Sequence, residues 1–458
     1  MRTPSPSNRN ELTHRKSLSR RDALRVGALS FAGLSLADVG RLQAASKSGK
    51  RQKSVIMIYL NGAPSHLDMY DMKPDLAAEY RGEFRPIDTN VSGMQICELM
   101  PQQAKIADKF AVIRGVEFVH LHSGHEFYSG YGWQETPKVV RPRSKQRPAL
   151  GSVLSRMRRS TTVPPYVSLQ NQEQWERAYY LGQEYEPFRI RGNSQPESLQ
   201  NMKLSKAADA ARLQGRSRLL QEFNGIRKRV EGTTASRAID AYQQRALELV
   251  TSGRVQAAFD VAKEPAKVRE RYGHKSFAVR RQVCNQVDHY QAEHPGPSLL
   301  QARRLIEAGV SVVTFSMGAW DTHRYNFETL RQLLPPLDQA VSTLILDLED
   351  RGLLDDTIVV MGGEFGRAPR IGDVTPDGRG HWPSAGFIWM AGGGINTGRI
   401  IGDTDARGER STGKPIRMER VLATVYRALG IDPALTFPDF NGRPQTIIED
   451  REPIEGLL

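Results

Sequence analysis

Ser54-Val55-Ile56-Met57-Ile58-Tyr59-Leu60 is an unbroken apolar run that stops at the turn residues Asn61-Gly62. A run without polar alternation fits a strand buried on both faces, as parallel sheets require. Similar runs follow at Phe110–Arg114, Tyr166–Leu169, Val310–Phe315, Thr357–Met361 and Phe387–Ala391. Segments with helical periodicity stand between several of them, at Glu98–Asp108, Pro297–Ala308, Phe327–Arg351 and Met418–Leu429. Strands alternating with helices predict an α/β fold with a mostly parallel central sheet covered on both faces. Chemistry in such sheets gathers beyond the carboxyl ends of the strands, so the residues after each run are the ones to inspect.

Two regions depart from the alternation. Residues 195–290 are polar, rich in Arg, Gln, Glu and Ala, and poor in strand formers, which predicts a helical insertion or cap. Residues 137–149 form a Pro-containing basic loop with Lys138, Arg141, Arg143, Lys145 and Arg147 and no acid, expected to be solvated. No internal repeat is visible.

The chain has 458 residues, 39% of them hydrophobic and 25% charged, enough apolar material for a sizeable core. No stretch approaches the roughly 20 apolar residues of a membrane-spanning helix. The formal charge of +13 first suggests a nucleic-acid partner, but residues 1–53 alone carry +9 and the other 405 only +4. The excess belongs to a leader, and a nucleic-acid function is not expected. That leader contains Ser19-Arg20-Arg21-Asp22-Ala23-Leu24-Arg25, an apolar stretch from Val26 to Leu36, and small residues at Ala44, Ala45 and Ser46. Residues 1–46 are therefore expected to be a twin-arginine signal, sending residues 54–458 to the periplasm or beyond through the twin-arginine export machinery. Two cysteines, Cys97 and Cys284, are too few for a Cys-rich metal site, and their pairing is left open.

The run at Val310–Phe315 leads into Trp320-Asp321-Thr322-His323, where two ligand-type residues spaced by two share one side of an extended loop. Thr357–Met361 leads into Gly362-Gly363-Glu364, a carboxylate at a strand end. A loop then brings His381 before the last strand. Asp321, His323, Glu364 and His381 together predict a divalent-metal site, with Zn²⁺ the best match and Mn²⁺ or Mg²⁺ also compatible. Taken singly, each residue has a plain structural reading: an Asp-x-His turn, or a Glu paired with Arg367.

These segments carry a resemblance. Residues 320–323 (WDTH), 352–369 (GLLDDTIVVMGGEFGRAP), 378–383 (GRGHWP) and 391–395 (AGGGI) are similar to the bacterial family called domain of unknown function 1501. So are residues 60–74 (LNGAPSHLDMYDMKP), 81–90, 266–273, 302–310 and 440–444, so the resemblance covers nearly the whole mature chain. It implies an alkaline-phosphatase-like three-layer sandwich of the sulfatase-containing superfamily. It also implies that Asp321, His323, Glu364 and His381 are metal ligands, with His66 and Asp68 as the contribution from the first strand end. Arg367 and Arg379 would hold an anionic ester oxygen.

Three departures from the family pattern bear on activity. Gly380 precedes His381 where the family usually has Asp or Asn, and Ala368 stands where it usually has Thr. Gly124 stands where a hydroxyl residue is expected before a histidine, leaving Ser123 as the nearest nucleophile and His125 beside it. No Cys/Ser-x-Pro-Ser-x-Arg stretch supports formylglycine chemistry. The resulting expectation is an exported hydrolase of phosphate or sulfate esters that uses a divalent metal (Zn, Mn, Ca or Mg). Its substrate would be an anionic ester such as a sulfated or phosphorylated glycan. The alternative is a non-catalytic cell-envelope protein of the same fold that binds anionic glycan.

Overall fold

The computed structural model describes residues 52–119, 122–132, 146–158, 163–169, 174–190, 257–283 and 286–458. The leader expected over residues 1–46, Cys284, and the larger parts of the basic loop and the insertion lie outside these residues.

Among the described residues one sheet contains nine strands. They are β1 (Ser54–Leu60), β2 (Phe110–Glu117), β3 (Tyr166–Ser168), β4 (Phe188–Arg189), β5 (Val312–Met317), β6 (Thr357–Gly362), β7 (Gly386–Ala391), β8 (Arg399–Ile401) and β9 (Ile416–Arg417). The order is β8-β2-β7-β6-β1-β5-β3-β4, with β9 also pairing β2. Only β7 runs antiparallel to its neighbours, β6 and β2. The sheet is mostly parallel, and every strand expected from the apolar runs is in it.

Central β1 shows why the run is unbroken. All seven of its residues are buried. Ile56, Ile58 and Leu60 pack with Leu299 and Leu305 of helix α3 (Pro295–Ala308) and Leu333, Leu337 and Val341 of helix α4 (Asn326–Asp350). Val55, Met57 and Tyr59 point the other way, onto Leu150 and Val153 of helix α2 (Leu150–Met157) and Val421, Leu422 and Val425 of helix α5 (Met418–Ala428). Helix, sheet and helix make three layers. A short helix, α1 (His125–Ser129), follows β2.

Two expectations need correction. The helix expected over Glu98–Asp108 is a single turn at Pro101–Ala104 and a 3₁₀ turn at Ala107–Lys109. Buried Asp338 of α4 accepts the Gln102 and Gln103 N–H groups at 2.8 and 2.7 Å, pinning that first turn against α4. The insertion expected to be helical over 195–290 has, in its described part, the helix Ala266–Tyr272 followed by a hairpin of Phe277–Val283 and Gln286–Ala292. Buried Val279 between exposed Ala278 and half-buried Arg280 shows strand alternation that the Arg and Gln content had obscured. No helix among the described residues is long and apolar enough to cross a membrane.

Candidate metal centre

β5 and β6 end at the same edge of the sheet, and each leads into a site residue. Beyond β5 the chain passes through Ala319, held at φ 79°, to Asp321 and His323. Beyond β6 it forms a two-residue ribbon in which Arg367 lies opposite His381. The Asp321 carboxylate is the focus. Its Oδ1 lies 3.1 Å from His323 Nε2, 3.3 Å from His381 Nε2 and 2.5 Å from Arg367 Nη2. Its Oδ2 lies 3.4 Å from Nε2 of His122, which arrives on the loop after β2. The Nε2 atoms of His323 and His381 are 2.8 Å apart.

Ligands 2.0–2.1 Å from a tetrahedral metal stand about 3.3 Å from one another. The separations of 2.8 to 3.4 Å around Asp321 are close to that spacing. One donor atom each from His122, Asp321 and His381 lies within 4.8 Å of the other two. Only one of the facing His323 and His381 nitrogens can carry a proton, so at least one lone pair is turned into the cluster. The donor set fits a divalent metal, and imidazole with carboxylate suits Zn²⁺.

Glu364 is in the site but not beside Asp321. It is buried, and it accepts the N–H of Gly62 at 3.0 Å and of Ala63 at 3.1 Å. Its Oε1 also lies 3.1 Å from His122 Nδ1. A carboxylate behind a ligating imidazole fixes the ring's tautomer and orientation, and that is the position Glu364 holds. His122 is the residue that the sequence reading passed over. The signal that marks it is the crowding of His120, His122 and His125 in the segment after β2.

The other expected residues are engaged elsewhere. Asp68 is bound bidentately by Arg379, Nε to Oδ2 at 2.8 Å and Nη2 to Oδ1 at 2.9 Å. Arg379 Nη2 also donates to Tyr80 O at 2.8 Å, and Nη1 donates to the carbonyls of Ala368 and Pro369. All five donors of this fully buried guanidinium are thus in use, so none is left for a substrate oxygen. Arg367, equally buried, donates to the carbonyls of Gly62, Ala63 and Arg379 and to Asp321. It fastens the turn after β1 to the carboxylate. His66 Nε2 lies 2.9 Å from Gly408 O, away from the Asp321 carboxylate.

Ser123 is 7% exposed and its Oγ accepts the N–H of His125 at 3.2 Å. Burial pushes His125 down to about 4, so its ring is neutral. A Cβ on Gly124 would lie 2.7 Å from the Trp175 ring and 2.9 Å from Tyr59, so no hydroxyl side chain fits there. Before His381, Asp373 Oδ1 accepts the Gly380 N–H at 3.1 Å. Its Oδ2 lies only 2.5 Å from where a Cβ of residue 380 would stand.

Charge in the cluster is finely set. Burial pushes Asp321 up, but hydrogen bonds from His122, His323 and His381 and the Arg367 charge outweigh it and hold the carboxyl well below its usual range. Hydrogen bonds to Asp321 and then Glu364 push His122 up to about 9 against the effect of burial. The folded value exceeds the unfolded one of about 6.5, so the metal-free protein keeps this stabilisation in full below that pH. It is lost as pH rises through about 9. In EDTA-treated protein the urea midpoint should fall between those pH values more steeply than in His122→Ala. Parallel pH profiles for the two proteins would contradict this.

The model of a family described as a protein of unknown function, DUF1501, matches residues 52–458. Among solved structures, the PsFucS1 sulfatase from Pseudoalteromonas sp. aligns at 11% identity over 95% of this chain and 77% of its own, with a TM-score of 0.39. Ps i-CgsB in complex with k-i-k-neocarrahexaose aligns at 9% identity over 83% and 72%, TM-score 0.38. The phosphonate monoester hydrolase SpPMH from Silicibacter pomeroyi aligns at 11% over 86% and 76%, TM-score 0.34. No curated protein matches the chain.

Proposed function

This chain belongs to the DUF1501 family, and from that premise we propose that it is an exported, metal-dependent hydrolase of sulfate or phosphate esters. The observation that supports this most is the convergence of His122, His323 and His381 on the Asp321 carboxylate at the carboxyl edge of the sheet. These four side chains would hold the metal. Glu364 orients His122, and Arg367 positions Asp321 while balancing its charge. A divalent metal there would polarise the ester oxygen and make water or a hydroxyl a better nucleophile.

The alternative, a non-catalytic binder of anionic glycan, has one observation on its side. Ser123 Oγ is buried and already serves the backbone of α1, so it is not poised as a nucleophile. One preparation tests both readings: mature protein recovered from the periplasmic fraction. Elemental analysis is expected to give bound zinc, and aryl sulfate or aryl phosphate to be hydrolysed in a metal-dependent way. Metal-loaded protein that hydrolyses neither would remove the enzyme reading. A product kept in the cytoplasm with its leader intact would remove export.

A further inference from the structure

A second cleft, of about 600 Å³, has residues from before and after His122 in its wall. Val119 and His125 line it, while His122 between them reaches Asp321. Its size falls in the range of small-molecule sites, roughly 300–1,000 Å³. No group in the proposed mechanism uses it.

Some of the polar side chains around it pair with one another, as Gln445 Nε2 does with Asp439 Oδ2 at 3.1 Å, and others do not. Gln146 is 8% exposed, lines the cleft, and its amide makes no hydrogen bond within the described protein. Asn441, Arg443 and Glu419 also line the cleft without a side-chain hydrogen bond to the described protein. Asp439 holds the turn that presents two of them, accepting the backbone N–H groups of Asn441 at 2.8 Å and Arg443 at 2.9 Å. The free groups are therefore two amides, a guanidinium and a carboxylate, a set with donors and acceptors together.

Charge narrows the choice. Arg147 is paired with Glu449 at 3.2 Å, and Arg417 stands 3.9 Å from Glu117. With those cations matched, the described residues of the wall have no positive excess to hold an anion. Nor is it a strong cation site, because burial, helped by Glu419, pushes Glu126 up to about 8 and leaves it largely protonated at neutral pH. Tyr131 and Tyr180 add aromatic surface to a wall of planar polar groups. That combination suits a molecule that is uncharged, rich in hydroxyls and partly apolar on its ring faces.

We propose that this cleft is a subsite for a neutral saccharide unit. It would seat the part of a glycan that lies beyond the anionic ester, and only that connection to the ester rests on the hydrolase reading. Saccharide binding itself stands apart from it.

The test titrates cellobiose, lactose and maltose into the metal-loaded mature protein, followed by calorimetry and saturation-transfer NMR. At least one is expected to bind with Kd near 1 mM, a range usual for weak polar contacts. Gln146→Ala and the exposed Asn441→Ala should each weaken it by about 10-fold, and EDTA treatment should not change it. No binding by any of the three at about 50 mM, or binding indifferent to both substitutions, overturns the subsite. Saccharide binding with no ester hydrolysis would keep the subsite and remove the hydrolase. Hydrolysis of aryl esters with no saccharide binding would do the reverse.

Discussion

His381→Ala is expected to empty the metal centre while leaving the fold intact. The ring's Nε2 sits 3.3 Å from Asp321 Oδ1 and 2.8 Å from His323 Nε2, so its removal takes one of the four converging donors. Replacing an outer-shell partner of a metal ligand costs roughly 10–100-fold in affinity, and losing a ligand should cost more than the upper end of that range. Metal-dependent ester hydrolysis should disappear with the metal. The fold should survive because Arg367 still neutralises Asp321 and the ribbon strand still pairs through its backbone. Glu364→Gln offers the graded comparison, since it touches the cluster only through His122 and should fall within the 10–100-fold range. Stoichiometric zinc surviving dialysis in His381→Ala, with unchanged turnover, would show that the centre lies elsewhere.

Arg379→Ala is expected to unfold the protein, not to weaken a substrate. The guanidinium is fully buried, bidentate on buried Asp68, and bound to three carbonyls. Removing one partner of such a pair strands the other charge in the interior, a loss of about 3–5 kcal/mol. Asn326 Nδ2, 2.9 Å from Asp68, cannot supply the missing charge. Lysine should not rescue it, because a single ammonium cannot reach carbonyls spread around a planar fork. The denaturation midpoint in urea measures the effect. A wild-type midpoint with selectively weaker sulfate or phosphate binding would restore the anion-holding role that the sequence suggested.

That role illustrates what the sequence could and could not convey. Strands such as Ser54–Leu60 were legible because burial on both faces writes itself into every residue of the run. The two- and three-residue strands β4, β8 and β9 have no period to read. Asp321 and His323 could be picked out because polar residues soon after a buried strand have little structural reason to be there, and His381 because it stands in the loop that leads back into the sheet. The role of Glu364 could not, because its partners are N–H groups of a turn about 300 residues earlier in the chain. Arg379 was misread for the same reason, since its donors are consumed by carbonyls of Tyr80, Ala368 and Pro369. Sequence shows which groups are available. Which of them are already spent depends on backbone that only the fold brings near.

The Asp373 carboxylate beside Gly380 has a consequence for how this loop can change through descent. One oxygen caps the Gly380 N–H, and the other stands 2.5 Å from where a side chain at 380 would begin. Positions 373 and 380 therefore compete for a single volume next to His381. A side chain at 380 requires the exposed Asp373 carboxylate to swing aside and give up its cap on the 380 N–H. An acid at 373 that caps the 380 N–H therefore favours glycine at 380 without requiring it.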